Sequence, residues 1–161
     1  MASGARECCS RESVSPKAII QAGSIFLQSG IVRGGPLTSE HVTYELLKEF
    51  LEAFNRHDLD SIMGYFAEDC VFYMPRGSAP RGDRYVGKNE VRAGLAKRFE
   101  GIPDVHYGED QHWVCDDFGV SEWTLTGTSA SGQKIEVRGV DLLEFDEGKI
   151  TRKDSFWKIL E

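Results

Sequence analysis

Asp141 and Lys153 flank the segment Phe145-Asp146-Glu147-Gly148-Lys149, whose turn residues and neighbouring apolar runs predict a hairpin carrying an acid and a base toward each other. With a three-residue loop and Gly148 in the left-handed position, Phe145 falls opposite Lys149. Leu143 then faces Thr151, Asp141 faces Lys153, Gly139 faces Ser155 and Val137 faces Trp157. Leu142, Glu144, Ile150, Arg152, Asp154 and Phe156 take the opposite face. A two-residue loop would slide the ladder by one and set Asp141 against Asp154. Enclosed by apolar side chains, such a pair can polarise a carbonyl group or deprotonate the carbon beside it, with Lys153 holding the oxyanion and Asp141 taking the proton. On an exposed face it is a cross-strand salt bridge worth about 0–1 kcal/mol.

Apolar bulk for a ligand pocket is available in Trp157, Trp123, Tyr73, Phe54, Phe66 and Met63, and Trp157 shares the parity of Asp141. His57 follows a helical run and precedes Asp58, which reads as a solvent-exposed turn. Arg81-Gly82-Asp83 falls in a Gly/Pro/Arg-rich stretch of the kind that forms lids. Cys8, Cys9, Cys70 and Cys115 show no C-x-x-C spacing, and neither H-E-x-x-H nor a phosphate loop occurs. No metal and no cofactor are expected.

The elements that must position these residues are legible from periodicity. Leu47, Phe50, Leu51 and Phe54 recur at helical spacing, with Ser39 available as a cap, and Asp58 caps a short second helix carrying Leu59, Ile62, Met63 and Phe66 and ending near Ala67. Cys70-Val71-Phe72-Tyr73 reads as a strand, residues 75–87 as a loop, and Val91, Leu95 and Phe99 as the stripe of a third helix. Strand-like runs then cover residues 105–116, 119–128, 134–145 and 150–159. Three helices followed by long strands argue for an α+β fold, with the helices laid on one face of a curved antiparallel sheet.

The 161-residue chain suffices for one core. Residues 1–38, with four basic against two acidic side chains, read as a flexible N-terminal extension, and residues 39–161 as the folded domain. Against 26 acidic residues there are only 19 basic ones, a net charge of -7 that argues against nucleic acid as the partner. No apolar run reaches the roughly 18 residues of a membrane span, and no compact apolar stretch suits a secretion signal. A cytoplasmic protein is expected.

The runs "FNRHDLDSIMGYFAEDCVFYMP", "YVGKNEVRAGL", "SEWTLTGT" and "RGVDLLEFDEGKITRKDSFW" resemble the SnoaL-like branch of the nuclear transport factor 2-like superfamily, which also holds ketosteroid isomerases and limonene epoxide hydrolase. The resemblance covers about residues 39–160 and implies a cone, a curved sheet wrapped around three N-terminal helices that leaves an apolar pocket, commonly in a homodimer. It sets Asp141 where ketosteroid isomerases keep a buried acid that stabilises the oxyanion. Phe50 stands in place of their tyrosine and Met74 in place of their proton-shuttling carboxylate. Gly139 occupies the position of the epoxide hydrolase arginine, and Arg138 points the other way. SnoaL-type cyclases pair such an aspartate with a histidine on the next strand. Here the facing candidates are Thr124, Thr126 and Trp123, with His106 and His112 one strand further out.

Together these readings predict a homodimeric binder of a small apolar carbonyl compound. Either it performs cofactor-free isomerisation or ring closure through Asp141 and Lys153, or it is a non-catalytic accessory subunit of a larger enzyme, with residues 1–38 as the docking arm.

Overall fold

The computed structural model describes residues 41–159. The predicted extension, the proposed Ser39 cap, Cys8 and Cys9 lie outside the described residues. Helix α1 (Tyr44–Asn55) is capped by Thr43, whose hydroxyl accepts from Leu46 N at 3.1 Å. It buries Leu47, Phe50, Leu51 and Phe54, the stripe read from the sequence. Asp58 caps α2 (Leu59–Gly64) as expected, accepting from Ser61 N at 3.0 Å. The helix stops before Phe66, which opens strand β1 (Phe66–Tyr73).

Strand β2 (Arg84–Val86) follows, then α3 (Lys88–Gly101), β3 (His106–Cys115), β4 (Phe118–Thr128), β5 (Lys134–Asp146) and β6 (Lys149–Trp157). The sheet is curved and unclosed, in the order β2-β1-β6-β5-β4-β3. Its β1–β6 pair runs parallel and the others antiparallel, so the α+β expectation holds with a mixed sheet. Strand β2 lies in the stretch expected as a lid. That stretch is instead the turn of a hairpin, with Met74 N donating to Asp83 O at 2.9 Å and Asp83 N to Arg76 O at 3.0 Å. Gly82, at φ 75, sits so close to Met74 O that no side chain fits.

The β5–β6 turn is tighter than a bulged three-residue loop. Glu147 and Gly148 both take positive φ, 47 and 73, so Asp146 pairs with Lys149 and Phe145 with Ile150. A bulge at Thr151 then adds a residue, and the ladder continues as Leu143–Lys153, Asp141–Ser155 and Gly139–Trp157. The predicted pairs are thus displaced by two residues, which preserves every face beyond the bulge. Lys153 sits diagonal to Asp141 rather than opposite, while Ile150 turns inward and is fully buried.

A second bulge acts on β3. Glu109, at φ 50, interrupts the β3–β4 ladder between Gly108 and Gln111, so Tyr107 and His112 both face inward and Trp113 faces out. The core between helices and sheet holds Leu47, Phe50, Phe54, Ile62, Phe66, Val91, Leu95, Leu125 and Leu143. Each fully buried side chain of this size contributes about 1.5–3 kcal/mol, enough to hold a few polar groups among them.

Candidate active site

Those polar groups form a row. Across the inner face His112 of β3 pairs with Ser121 of β4, Ser121 with Asp141 of β5, and Asp141 with Ser155 of β6, while Lys153 stands two residues before Ser155. All five are buried. The residue facing Asp141 on β4 is therefore Ser121, not Thr124, Thr126 or Trp123, and a histidine does reach the inner face one strand further out.

Asp141 is the hub. Its Oδ1 accepts from Ser155 Oγ at 2.6 Å and forms an ion pair with Lys153 Nζ, and its Oδ2 accepts from Trp123 Nε1 at 3.1 Å. Lys153 Nζ also donates to Ser155 Oγ at 2.6 Å. Three donors converging on both oxygens is the arrangement a carboxylate, acceptor-only, satisfies. Burial pushes the Lys153 ammonium below the ordinary lysine value, and the neighbouring Asp141 charge opposes that push. The Phe54 and Phe72 rings lie 5.9 Å and 5.4 Å from Nζ.

Trp123 reaches Asp141 because Gly139, its register partner on β5, leaves the space the indole fills; a Cβ there would strike the ring and Phe156 O. The same contact explains why no side chain stands at the position of the epoxide hydrolase arginine.

Beside the cluster is a void of ≈ 20 Å³ lined by Phe54, Phe72, Met74, Gly94, Leu95, Arg98, Tyr107, Trp123, Asp141, Lys153 and Ser155. Burial, opposed by the neighbouring Arg98 and helped by a smaller push from Asp141, raises the Tyr107 phenol to about 12, so it stays a proton donor. Asn55 at the end of α1 fixes it by clamping its backbone: Tyr107 N donates to Asn55 Oδ1 at 2.8 Å and Asn55 Nδ2 to Tyr107 O at 3.0 Å.

Among the residues expected at the site, Asp141, Lys153, Trp123 and Phe54 meet at the void. Trp157 lies outside it, on a cleft of ≈ 460 Å³ that also touches Met74 and Arg98. Phe66 and Met63 are core, and Tyr73 alternates with Phe72 away from the void, accepting from Arg84 Nε at 3.2 Å. Phe50 is packed among Phe54, Tyr65 and Phe66. His57 is exposed in its turn but tethered, with Nε2 2.9 Å from Val105 O and its ring 4.9 Å from that of Phe99.

The sequence reading missed Tyr107, Arg98 and Ser155. Arg98 carried a visible signal, falling at the i+7 position of the stripe begun by Val91 and Leu95, where a charge is out of place. Tyr107 carried none, because its orientation depends on the β3 bulge.

Among the described residues, no cluster of three or more His, Cys, Asp or Glu side chains is arranged to hold a metal, and no helix is long and apolar enough to cross a membrane.

The SnoaL-like domain family matches residues 47–153. No curated protein matches the chain. Solved structures share the fold. An NTF2-like protein of unknown function from Burkholderia pseudomallei is 22% identical, with TM-score 0.64, covering 71% of this chain and 88% of its own. A provisionally named polyketide cyclase from Xanthomonas campestris is 21% identical, with TM-score 0.63 and coverages of 71% and 88%. A hypothetical protein with a ketosteroid isomerase-like fold from Catenulispora acidiphila, solved in complex with trimethylamine, is 17% identical, with TM-score 0.63 and coverages of 73% and 88%.

Proposed function

The chain belongs to the SnoaL-like domain family, and on that footing we propose that it binds a small, mostly apolar carbonyl compound and performs cofactor-free acid/base chemistry on it, an isomerisation or a ring closure. The observation that carries this reading is the cluster of proton-bearing groups, Lys153, Asp141, Ser155 and Tyr107, around one void in an otherwise apolar core. Asp141 takes a proton from the carbon beside the carbonyl, and the C–H electron pair becomes the enolate double bond. Lys153 and Tyr107 donate to the oxyanion so formed. Where a carbon–carbon double bond is conjugated with the enolate, returning the proton from Asp141 to its far carbon completes an isomerisation. Attack of the enolate carbon on a second carbonyl, whose π electrons move onto its oxygen and take the proton from Asp141, closes a ring. Steroid isomerisation by the related enzymes' residue set is not part of this reading, because Phe50 and Met74 replace its tyrosine and base.

The void admits about one water, so only the carbonyl end of a ligand enters, past Met74 and Arg98, while its bulk rests against Trp157 in the outer cleft. The same smallness supports a second reading, a non-catalytic binding or accessory subunit whose buried cluster is structural. The reading further includes a homodimer through the outer sheet face, where Trp113 and Phe156 are exposed on either side of Val120, Val140 and Leu142. It sets the protein in the cytoplasm, on the buried Cys70 thiol.

Native mass spectrometry of the gently purified protein tests these points together. The enzyme reading expects a dimer of 18.0 kDa chains retaining a carbonyl compound that is turned over by the wild type and not by Asp141→Asn. Co-migration with a larger enzyme, or normal turnover by the Asn variant, overturns it.

A further inference from the structure

The cleft outside the buried site is cationic in a chain that is acidic as a whole. Arg76, Lys97, Arg98, Lys134 and Lys158 line it against Glu136 alone, whereas the chain carries a net charge of -7. Among the described residues none of these five cations is ion-paired, as is also true of Lys48, Arg56, Arg81, Arg84 and Lys149; Lys97 donates to the Tyr85 hydroxyl at 2.9 Å and Lys134 to Thr128 Oγ1 at 2.8 Å. Unpaired like charges gathered around a concave surface repel one another, and focus a positive potential there that an anion relieves.

Two of the five are also oriented. The Arg76 guanidinium lies 4.8 Å from the Trp157 ring centroid and that of Arg98 4.4 Å. A guanidinium resting on an indole keeps N–H groups at its edge for an oxyanion, and the edge of Arg98 is shared with the Tyr107 hydroxyl. Arg76 is delivered by the β1–β2 turn, which the Asp83 N to Arg76 O bond holds at 3.0 Å. Arg98 and Met74 border both the cleft and the inner void, so anything bound on Trp157 lies beside residues that also line the void at Asp141 and Lys153.

We propose that the ligand carries an oxyanion, a carboxylate or a phosphate ester, which Arg76 and Arg98 hold at the cleft while its flat apolar body lies against Trp157 and its carbonyl end points past Met74. This names the substrate class of the same site and rests on the reading of Asp141 and Lys153 as the reacting groups.

The test titrates the full chain with para-acetylbenzoate, para-acetylphenyl phosphate and the uncharged methyl ester of para-acetylbenzoate, following the indole N–H signals by NMR. Trp157 reports on the cleft and Trp123, bonded to Asp141, on the inner site. At least one anion is expected to shift the Trp157 signal and to bind about tenfold or more tightly than the ester, as a charge-assisted contact requires. Arg76→Gln should weaken the anions more than the ester and so reduce that preference, and added salt should weaken only the anions. The stronger of the two anions identifies carboxylate or phosphate. An ester that binds as tightly as both anions, or no Trp157 shift with either anion, overturns the proposal. A Trp157 shift with anion preference and an unmoved Trp123 signal upholds the anion site and counts instead against chemistry at Asp141.

Discussion

Replacing Asp141 with Asn strands a buried cation. Lys153 keeps its Ser155 contact but loses its counter-charge, in a position only 4% exposed. Removing one partner of a buried ion pair costs about 3–5 kcal/mol. Lys153 can escape by releasing its proton, which for an ordinary lysine at pH 7 costs about 3.4 × 1.36, or ~4.6 kcal/mol. Burial already lowers the Lys153 value, so this route is the easier one in the variant. A loss of about 3–5 kcal/mol corresponds to a melting temperature lower by roughly 12–20 °C for a domain of this size. The pH dependence identifies the cause. A lysine that is neutral when folded binds fewer protons folded than unfolded, so stability rises with pH through the window from its lowered folded value to the ordinary 10.5. Without Asp141 that window extends downward, and the variant regains up to about 1.36 kcal/mol per pH unit relative to the wild type. Urea unfolding at pH 7 and pH 9 should therefore show its deficit shrinking by up to ~2.7 kcal/mol. Adding Lys153→Met to the Asn variant should restore most of the loss at pH 7. A deficit below about 1 kcal/mol, or one that does not change with pH, would refute a buried pair.

Gly139→Ala drives a methyl into the Trp123 ring and Phe156 O; a destabilisation of about 1–3 kcal/mol or more should appear in urea unfolding, together with loss of the near-ultraviolet signal of an immobilised indole. Burial lowers His112 despite the opposing Asp110. A histidine buried neutral binds fewer protons folded than unfolded, so its contribution is complete above 6.5 and declines as pH falls from there toward its folded value. His112→Gln should flatten that part of the stability profile relative to wild type. Tyr107 should resist ionisation until about pH 12 in a spectrophotometric titration, and Tyr107→Phe should lower turnover by about 10²-fold or more if its hydroxyl holds the oxyanion.

Both the strength and the limit of the sequence reading lie in parity. Helix stripes such as Leu47-Phe50-Leu51-Phe54 follow from a period that local residues enforce, and they recur in the structure as read. Sheet faces follow from a count, and each bulge changes the count by one. The bulge at Thr151 and the tighter Glu147-Gly148 turn displaced the predicted partners by two, so Asp141 and Lys153 still share a face and still meet, by a diagonal contact. The bulge at Glu109 turned His112 inward and left Trp113 outside, and nothing in the local sequence requires a left-handed glutamate there. Asn55, the last residue of α1, holds Tyr107 across a long sequence separation, a pairing visible only once β3 is placed. Trp157 kept its predicted face but lies past the end of the enclosed core, where Arg76 and Arg98 surround it instead of the cluster.

The most direct measurement of proton transfer at Asp141 is deuterium incorporation from D₂O at the carbon beside the carbonyl of a bound ketone, followed by NMR for the wild type and for Asp141→Asn. If Asp141 moves the proton, the wild type exchanges it well above the buffer rate and the Asn variant does not. A ketone that binds at Trp123 yet exchanges no faster than in buffer, or an Asn variant that exchanges at the wild-type rate, would contradict it.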